Sequence, residues 1–294
     1  MKFHPSIVYR RVVATLFFGI VIFCFWYFCF PYAVVAQERL FVWDAEFWEE
    51  YDALQYARDF VLQFFYEAFL GSSLLALLCV VLQVLAWMIL SHLWKNRLAF
   101  WLSFLPSVLL WYSLYQSFPV HDAELEYDWL QRRGKWEMII EKGQREMPPT
   151  LACQNVFRLA QWQVGMISET DFLGSLPLTN EALTGRVAAY MMSDVYMSVG
   201  MVNMAQRASF EAMASIEDFS MSGRSLRRLT ETALITEQYE VVRKYASLLS
   251  HTVYYRDFAL QMEEMVVHPE LGQEHPFYGR LQKIYKNTND VLFN

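Results

Sequence analysis

Three stretches of this chain contain no Asp, Glu, Lys or Arg: Val12–Gln37, Ala68–Trp94 and Leu98–Val120, of 26, 27 and 23 residues. A helix needs about 20 apolar residues to cross the hydrocarbon core of a bilayer, so each run is long enough to span one. A helix buried in a soluble domain is the alternative for each, and charge-free runs of this length disfavour it. The composition agrees, with 55% of the 294 residues hydrophobic and only 19% charged. A net charge of −7 gives no overall basic bias toward nucleic acid. Cys24, Cys29 and Cys79 lie in the apolar runs and Cys153 in the polar half, without CxxC spacing. Neither a disulfide framework nor a zinc site is expected.

The first run follows Lys2, Arg10 and Arg11, and it ends near Val34-Val35-Ala36, a small-residue stretch like a signal-peptide cleavage site. The 19 residues between Arg11 and Pro31 exceed the roughly 7–15 of a signal core, which favours an uncleaved anchor. Lys95 and Arg97 separate the second and third runs, whereas Glu38–Glu67 holds eight acids and only two bases, Arg39 and Arg58. Basic residues near span ends stay in the cytoplasm. Residues 1–37 are therefore expected to form a cytoplasmic N-terminus and first span, and 68–120 two further spans joined by a cytoplasmic turn at 95–97. Residues 38–67 and 121–294 are then outside, which in a bacterium means the periplasm: a multi-pass inner-membrane protein in contact with lipid. Trp43, Trp48, Trp94 and Trp101 fall where interfacial Trp belongs. Within 38–67, Phe47, Tyr51, Leu54, Val61 and Phe65 recur at helical spacing, with Glu46, Glu49, Glu50 and Asp59 mostly on other faces. An amphipathic helix on the outer leaflet and a helix packed on the soluble domain both fit. Gln83, His92 and Gln116 are the most polar members of the spans, and with no charge inside them nothing marks an ion or proton path.

After Pro119 the texture changes to helical patterns separated by Gly, Pro and Ser, with no clear strand run. Val187, Tyr190, Met191, Val195 and Val199 make an apolar stripe at helical spacing; Gly200 follows, and then Ala205, Ala208 and Ala212. This is the signature of a helical hairpin with Gly at a left-handed bend and small residues where the helices approach. Similar patterns surround Gly134, Gly165 and Glu237. The four bends are 31, 35 and 37 residues apart, near the tetratricopeptide period of about 34. The expected fold is all-α: three transmembrane helices followed by a tetratricopeptide-like α-solenoid. Its Met and aromatic residues are core rather than a cofactor box.

The segments CFPYAVVAQERLFVW (Cys29–Trp43) and FVLQFFYEAFLGSSLLALL (Phe60–Leu78) resemble a family of multi-pass membrane proteins of Bacteroidetes that carries a domain of unknown function. EYDWLQRRGKWEMII, AQRASFEAM, RRLTETALITEQYEVVRKY and HPFYGRLQKIYKNTNDVLFN resemble it too. The likeness covers most of the chain, and its motifs are hydrophobic and structural. It implies relatives with more spans and with helices continuing past the position of Asn294, and it supplies no catalytic residues.

Arg224, Arg227 and Arg228 share one helix face. They suit either an anionic partner or lipid head group, or ion pairing with Glu231 three or four residues on. His268 and His275 flank PELGQE, but Pro269 and Pro276 break helical ligand geometry and no HExxH exists, so a capped loop is expected rather than a metal. His251 closes a helix, where a cation suits the dipole. No GxSxG, Gly-rich phosphate loop or Cys–His neighbourhood occurs. No catalytic, cofactor or metal residue is therefore nominated. The expected function is a membrane-anchored scaffold that binds a protein or peptide. Two other readings are a subunit of an envelope transport or secretion complex, and a membrane-bound hydrolase or transferase.

Overall fold

The computed structural model describes residues 5–44, 52–94, 98–176, 180–216 and 221–287. Among them every regular element is helical and there is no strand. The chain divides into two compact units, Met1–Glu38 with Val61–Asp122 and Arg39–Phe60 with Ala123–Asn294. The units do not follow chain order: most of the acidic 38–67 segment belongs to the second. Lys2, Glu46, Phe47, Trp48, Glu49, Glu50, Tyr51, Lys95 and Arg97, used above for orientation and amphipathicity, lie outside the described residues.

In the first unit, α1 (Pro5–Cys24) continues into a π-helical turn, Phe25–Cys29. Pro31, at the first position of α2 (Pro31–Val35), starts a new helix, so the 26-residue run is not one helix. Proline is suited to that position because its missing N–H would be unpaired there in any case. Val34 and Val35 are buried, and Val34 joins Ile22, Trp26, Phe65, Leu75 and Cys79 in one apolar core. After α3 (Ala53–Leu62), most of which belongs to the second unit, the 26-residue α4 (Ala68–Leu93) is about 39 Å long at 1.5 Å per residue. The third run, expected as one span, is a 20-residue helical stretch, Leu98–Ser117, with an irregular turn at Ser103 separating α5 (Leu98–Leu102) from α6 (Phe104–Ser117). Pro106 explains the turn, since its ring opposes the carbonyl four residues back, at Leu102. Helix α4 packs against both α1 and α6. Val8–Cys29, Ala68–Leu93 and Leu98–Ser117 are each long and apolar enough to cross a membrane. Phe17, Leu77, Leu85, Ile89 and Leu109 are all at least half exposed. Apolar surface of that extent needs lipid or another apolar partner.

The second unit contains α7 (Ala123–Arg132), α8 (Trp136–Arg145), α9 (Leu151–Gln163) and α10 (Glu169–Leu173). It continues with α11 (Arg186–Ser198), α12 (Val202–Ala214), α13 (Gly223–Ile235) and α14 (Tyr239–Ser250), then α15 (Arg256–Val267), α16 (Pro269–Glu274) and α17 (Tyr278–Asn287). Thr150, Ser168 and Ser222 cap α9, α10 and α13 by accepting from backbone N–H groups three residues on. Gly134, Gly165, Gly200 and Glu237 have φ of 61°, 78°, 83° and 59°. Each bend closes with one pair of hydrogen bonds, such as Gly200 N–H to Met197 O and Met201 N–H to Tyr196 O, or Glu237 N–H to Leu234 O and Gln238 N–H to Ala233 O. This is the Schellman turn, which satisfies carbonyls that a helix end would leave unpaired. Glu237 carries the left-handed strain as a non-glycine, and its carboxylate receives Lys286 Nζ at 2.6 Å. Ala205, Ala208 and Ala212 are fully buried where α12 meets its neighbours α11 and α13. Arg39–Phe60 contributes Phe41 and Val42, each 1% exposed, and Trp43 N–H donates to His251 O at 2.7 Å.

Candidate functional site

The most connected set of ion pairs among the described residues centres on α13. Positions 224, 227, 228 and 231 recur at three and four, so they project from one helix face. Arg224 donates twice to Asp128 of α7, Nη1 to Oδ2 at 2.8 Å and Nη2 to Oδ1 at 2.7 Å, and once to Asp194 Oδ2 of α11 at 2.7 Å. The other Asp194 oxygen accepts from Arg228 Nη2 at 2.6 Å, and Arg228 Nη1 reaches Glu231 Oε2 at 2.6 Å. Glu231 Oε1 accepts from Arg227 Nε at 3.3 Å and from the Tyr278 hydroxyl of α17 at 3.4 Å. The Arg224 guanidinium also lies 4.5 Å from the Tyr190 ring centroid, and that of Arg227 4.8 Å from Phe258.

Three guanidiniums thus meet three carboxylates. Asp128 and Glu231 side chains are only 9% and 7% exposed, and Arg224 and Arg228 17% each. Burial would raise the Asp194 carboxyl, but Arg224 and Arg228 outweigh it and hold it at about 2, against 3.8 ordinarily. Burial opposes the charge on Arg224 and Arg228, and the facing carboxylates more than restore it, so both are raised. Burial, reinforced by Glu231, likewise pushes the Tyr278 hydroxyl up. A set matched in this way binds α7, α11, α13 and α17 together, and its Asp194 carboxylate stays ionised at neutral pH. The anionic partner expected at Arg224, Arg227 and Arg228 finds its place taken by carboxylates of the protein; only Arg227, 46% exposed, still faces solvent substantially. Pairing with Glu231, the other expectation, is present for Arg227 and Arg228. Asp128 and Asp194 lie 96 and 30 residues before Arg224, beyond the reach of local spacing. The available signal was a lone carboxylate at Asp194 inside an apolar helical stripe.

A second polar set joins the three apolar helices. Thr15 Oγ1 of α1 donates to Gln83 Oε1 of α4 at 3.2 Å, and Gln83 Nε2 donates to Ser103 Oγ at 3.0 Å. Ser107 Oγ of α6 donates to Cys79 O at 2.8 Å. Gln83 and Ser103 are fully buried.

His275 Nδ1 lies 3.3 Å from the backbone nitrogens of both Phe277 and Tyr278, which places it as an acceptor capping α17, and its ring stacks on Tyr278. His268 Nδ1 lies 3.3 Å from Glu270 Oε1. His251 Nδ1 lies 2.8 Å from Ser247 O. Among the described residues no three His, Cys, Asp or Glu side chains group as metal ligands.

The fold and its two polar sets define a protein whose regular elements, among the described residues, are all helical: one unit has three helical stretches long and apolar enough to cross a membrane, and the other is locked by a buried ion network. The chain belongs to the Family of unknown function (DUF6057), whose model matches residues 7–121 and 116–294. No curated protein and no solved structure matches it.

Proposed function

We propose that this protein is a membrane-anchored helical-repeat scaffold that binds a protein or peptide at the cell envelope, without catalysis. In this reading the second unit is a tetratricopeptide-like solenoid, held on the periplasmic face of a bacterial inner membrane, with the N-terminus in the cytoplasm. The observation that carries it is the recurrence of one bend: four Schellman turns, at positions 134, 165, 200 and 237, spaced close to the tetratricopeptide repeat of about 34 residues. Stacked helical hairpins leave an extended surface suited to a partner chain. Exposed Met138, Met166 and Phe210 supply apolar contact on the second unit.

Photo-crosslinking side chains at Met166 and Phe210, and in parallel at the exposed Leu77 and Leu109 of the apolar helices, activated in living cells, test the reading. A discrete adduct with a soluble periplasmic protein is the expected result. Adducts confined to probes in the apolar helices, joined one-to-one to another membrane protein, overturn it in favour of a transport or secretion subunit. The orientation is tested by a cysteine placed at Ser222. A membrane-impermeant thiol reagent is expected to label it in intact spheroplasts; labelling only after lysis refutes the periplasmic placement.

A further inference from the structure

Within the first unit, the start of α1, the end of α4 and the start of α5 enclose a cavity of about 250 Å³. Val12, Leu16, Val84, Trp87 and Phe100 line it, and Arg11 is its single charged lining residue among the described residues. The α1 side is open, since Val12 and Leu16 are 50% and 59% exposed. The one hydroxyl in the lining, that of Thr15, is already directed at Gln83.

Arg11 lies about one turn inside the Val8–Cys29 span. Its guanidinium carbon is 5.5 Å from the Trp87 ring centroid and 5.4 Å from that of Phe100, and no carboxylate among the described residues pairs with it. Ring faces accommodate its charge but accept none of its five N–H donors. At the edge of an apolar layer an oxygen anion satisfies those donors best, because an unpaired arginine there is costly. The anion that a bilayer itself offers at this depth is the phospholipid phosphate, and a guanidinium can bind it through two parallel hydrogen bonds. Anionic lipid is drawn to basic residues beside a span, and of the two neighbouring arginines only Arg11 lines the cavity. A protein helix filling the same groove would have to bring a carboxylate as well as an apolar edge. One anionic lipid supplies both parts.

We propose that this cavity is a binding site for an anionic phospholipid, with the phosphate on Arg11 and an acyl chain along Val12, Leu16 and Val84. The proposal rests on the three helices crossing a membrane and is independent of the scaffold reading of the second unit. The test uses the full chain, purified in mild detergent and titrated with phosphatidylglycerol or phosphatidylcholine, with bound lipid counted by native mass spectrometry. Phosphatidylglycerol is expected to be retained preferentially. Arg11→Gln should weaken it about tenfold, the loss of a charge-assisted hydrogen-bond pair, while Arg10→Gln, its neighbour in sequence, changes it little. Val84→Phe, which fills the cavity and keeps Arg11, should lower retention of both lipids. Equal retention of the two lipids by the unaltered chain, or equal losses in R10Q and R11Q, overturns the site. Recovery of the chain in the soluble fraction before any detergent is added overturns the membrane reading itself, which distinguishes the two failures.

Discussion

Replacing Arg224 with Met keeps most of the side-chain volume and removes the charge that Asp128 needs. Asp128 loses both of its hydrogen bonds to Arg224, at 2.8 and 2.7 Å, and its side chain is only 9% exposed. Asp194 also loses one bond but keeps Arg228 at 2.6 Å. The dominant cost is therefore one stranded buried carboxylate. Removing one partner of such a pair costs about 3–5 kcal/mol. With a urea slope of about 1–3 kcal/mol per molar, the unfolding midpoint of the second unit should fall by at least about 1 M. Cys153 is a native reporter, fully buried in α9. Pulsed alkylation of the full chain across a urea series, read by mass spectrometry on the Cys153 peptide, follows the opening of this unit alone. Asp128→Asn in the R224M background removes the stranded charge. The double variant should then be more stable than the sum of the single losses, by about 0.5–3 kcal/mol. An unchanged midpoint in R224M, or strictly additive losses in the double variant, refutes the view that the network stabilises this unit.

The same network predicts a pH dependence. The Asp194 carboxyl falls from 3.8 ordinarily to about 2 in the folded protein, which at about 1.4 kcal/mol per pH unit is worth about 2 kcal/mol. Because the folded value is the lower one, this stabilisation is complete above about pH 4 and disappears as the pH falls through about 2. Circular dichroism in urea between pH 5 and 2 should show a smaller drop in stability for Asp194→Asn than for the unaltered chain. Gly165→Ala meets no neighbour within 4 Å, so it should cost only the left-handed backbone strain, about 1–2 kcal/mol. Gly200→Ala adds a Cβ 2.7 Å from Ile284 Cγ2 and should lower the urea midpoint further; equal shifts in the two variants would disprove the contact. Gln83→Leu removes the Thr15–Gln83–Ser103 bridge and should cost about 1 kcal/mol in a detergent-denaturation series. No change there would mean that the bridge does not join the helices.

The features legible in the sequence are those set by short-range rules. Freedom from charge over more than 20 residues marks the apolar helices, and a glycine after a periodic stripe marks a left-handed bend at 134, 165 and 200. Even Glu237 is placed by its spacing, although its side chain is unsuited to that conformation. The irregular turn at Ser103 has its signal in Pro106, which stands inside the third run. The ion network was not legible. Arg224 finds its partners 96 and 30 residues away, and spacing within α13 suggests only the Glu231 contact. Gln83 was visible as polar, whereas its partners on two other helices follow only from the packing of those helices. The membership of Arg39–Phe60 in the second unit was hidden for the same reason: its acidic composition says nothing of where Phe41 is buried.

That membership has a consequence for how the polypeptide is made. The hydrogen bond from Trp43 to His251 joins residues 208 positions apart, and two apolar helices are synthesised between them. At translation rates of about 5–20 residues per second, the Trp43 backbone N–H waits on the order of 10–40 s for its partner to emerge. Until then Phe41 has only its local ring neighbours Trp43, Tyr56 and Phe60. A ribosome stalled between these points leaves a nascent product with its first segment unshielded, which makes this interval the one in which quality-control proteases and chaperones have most to recognise.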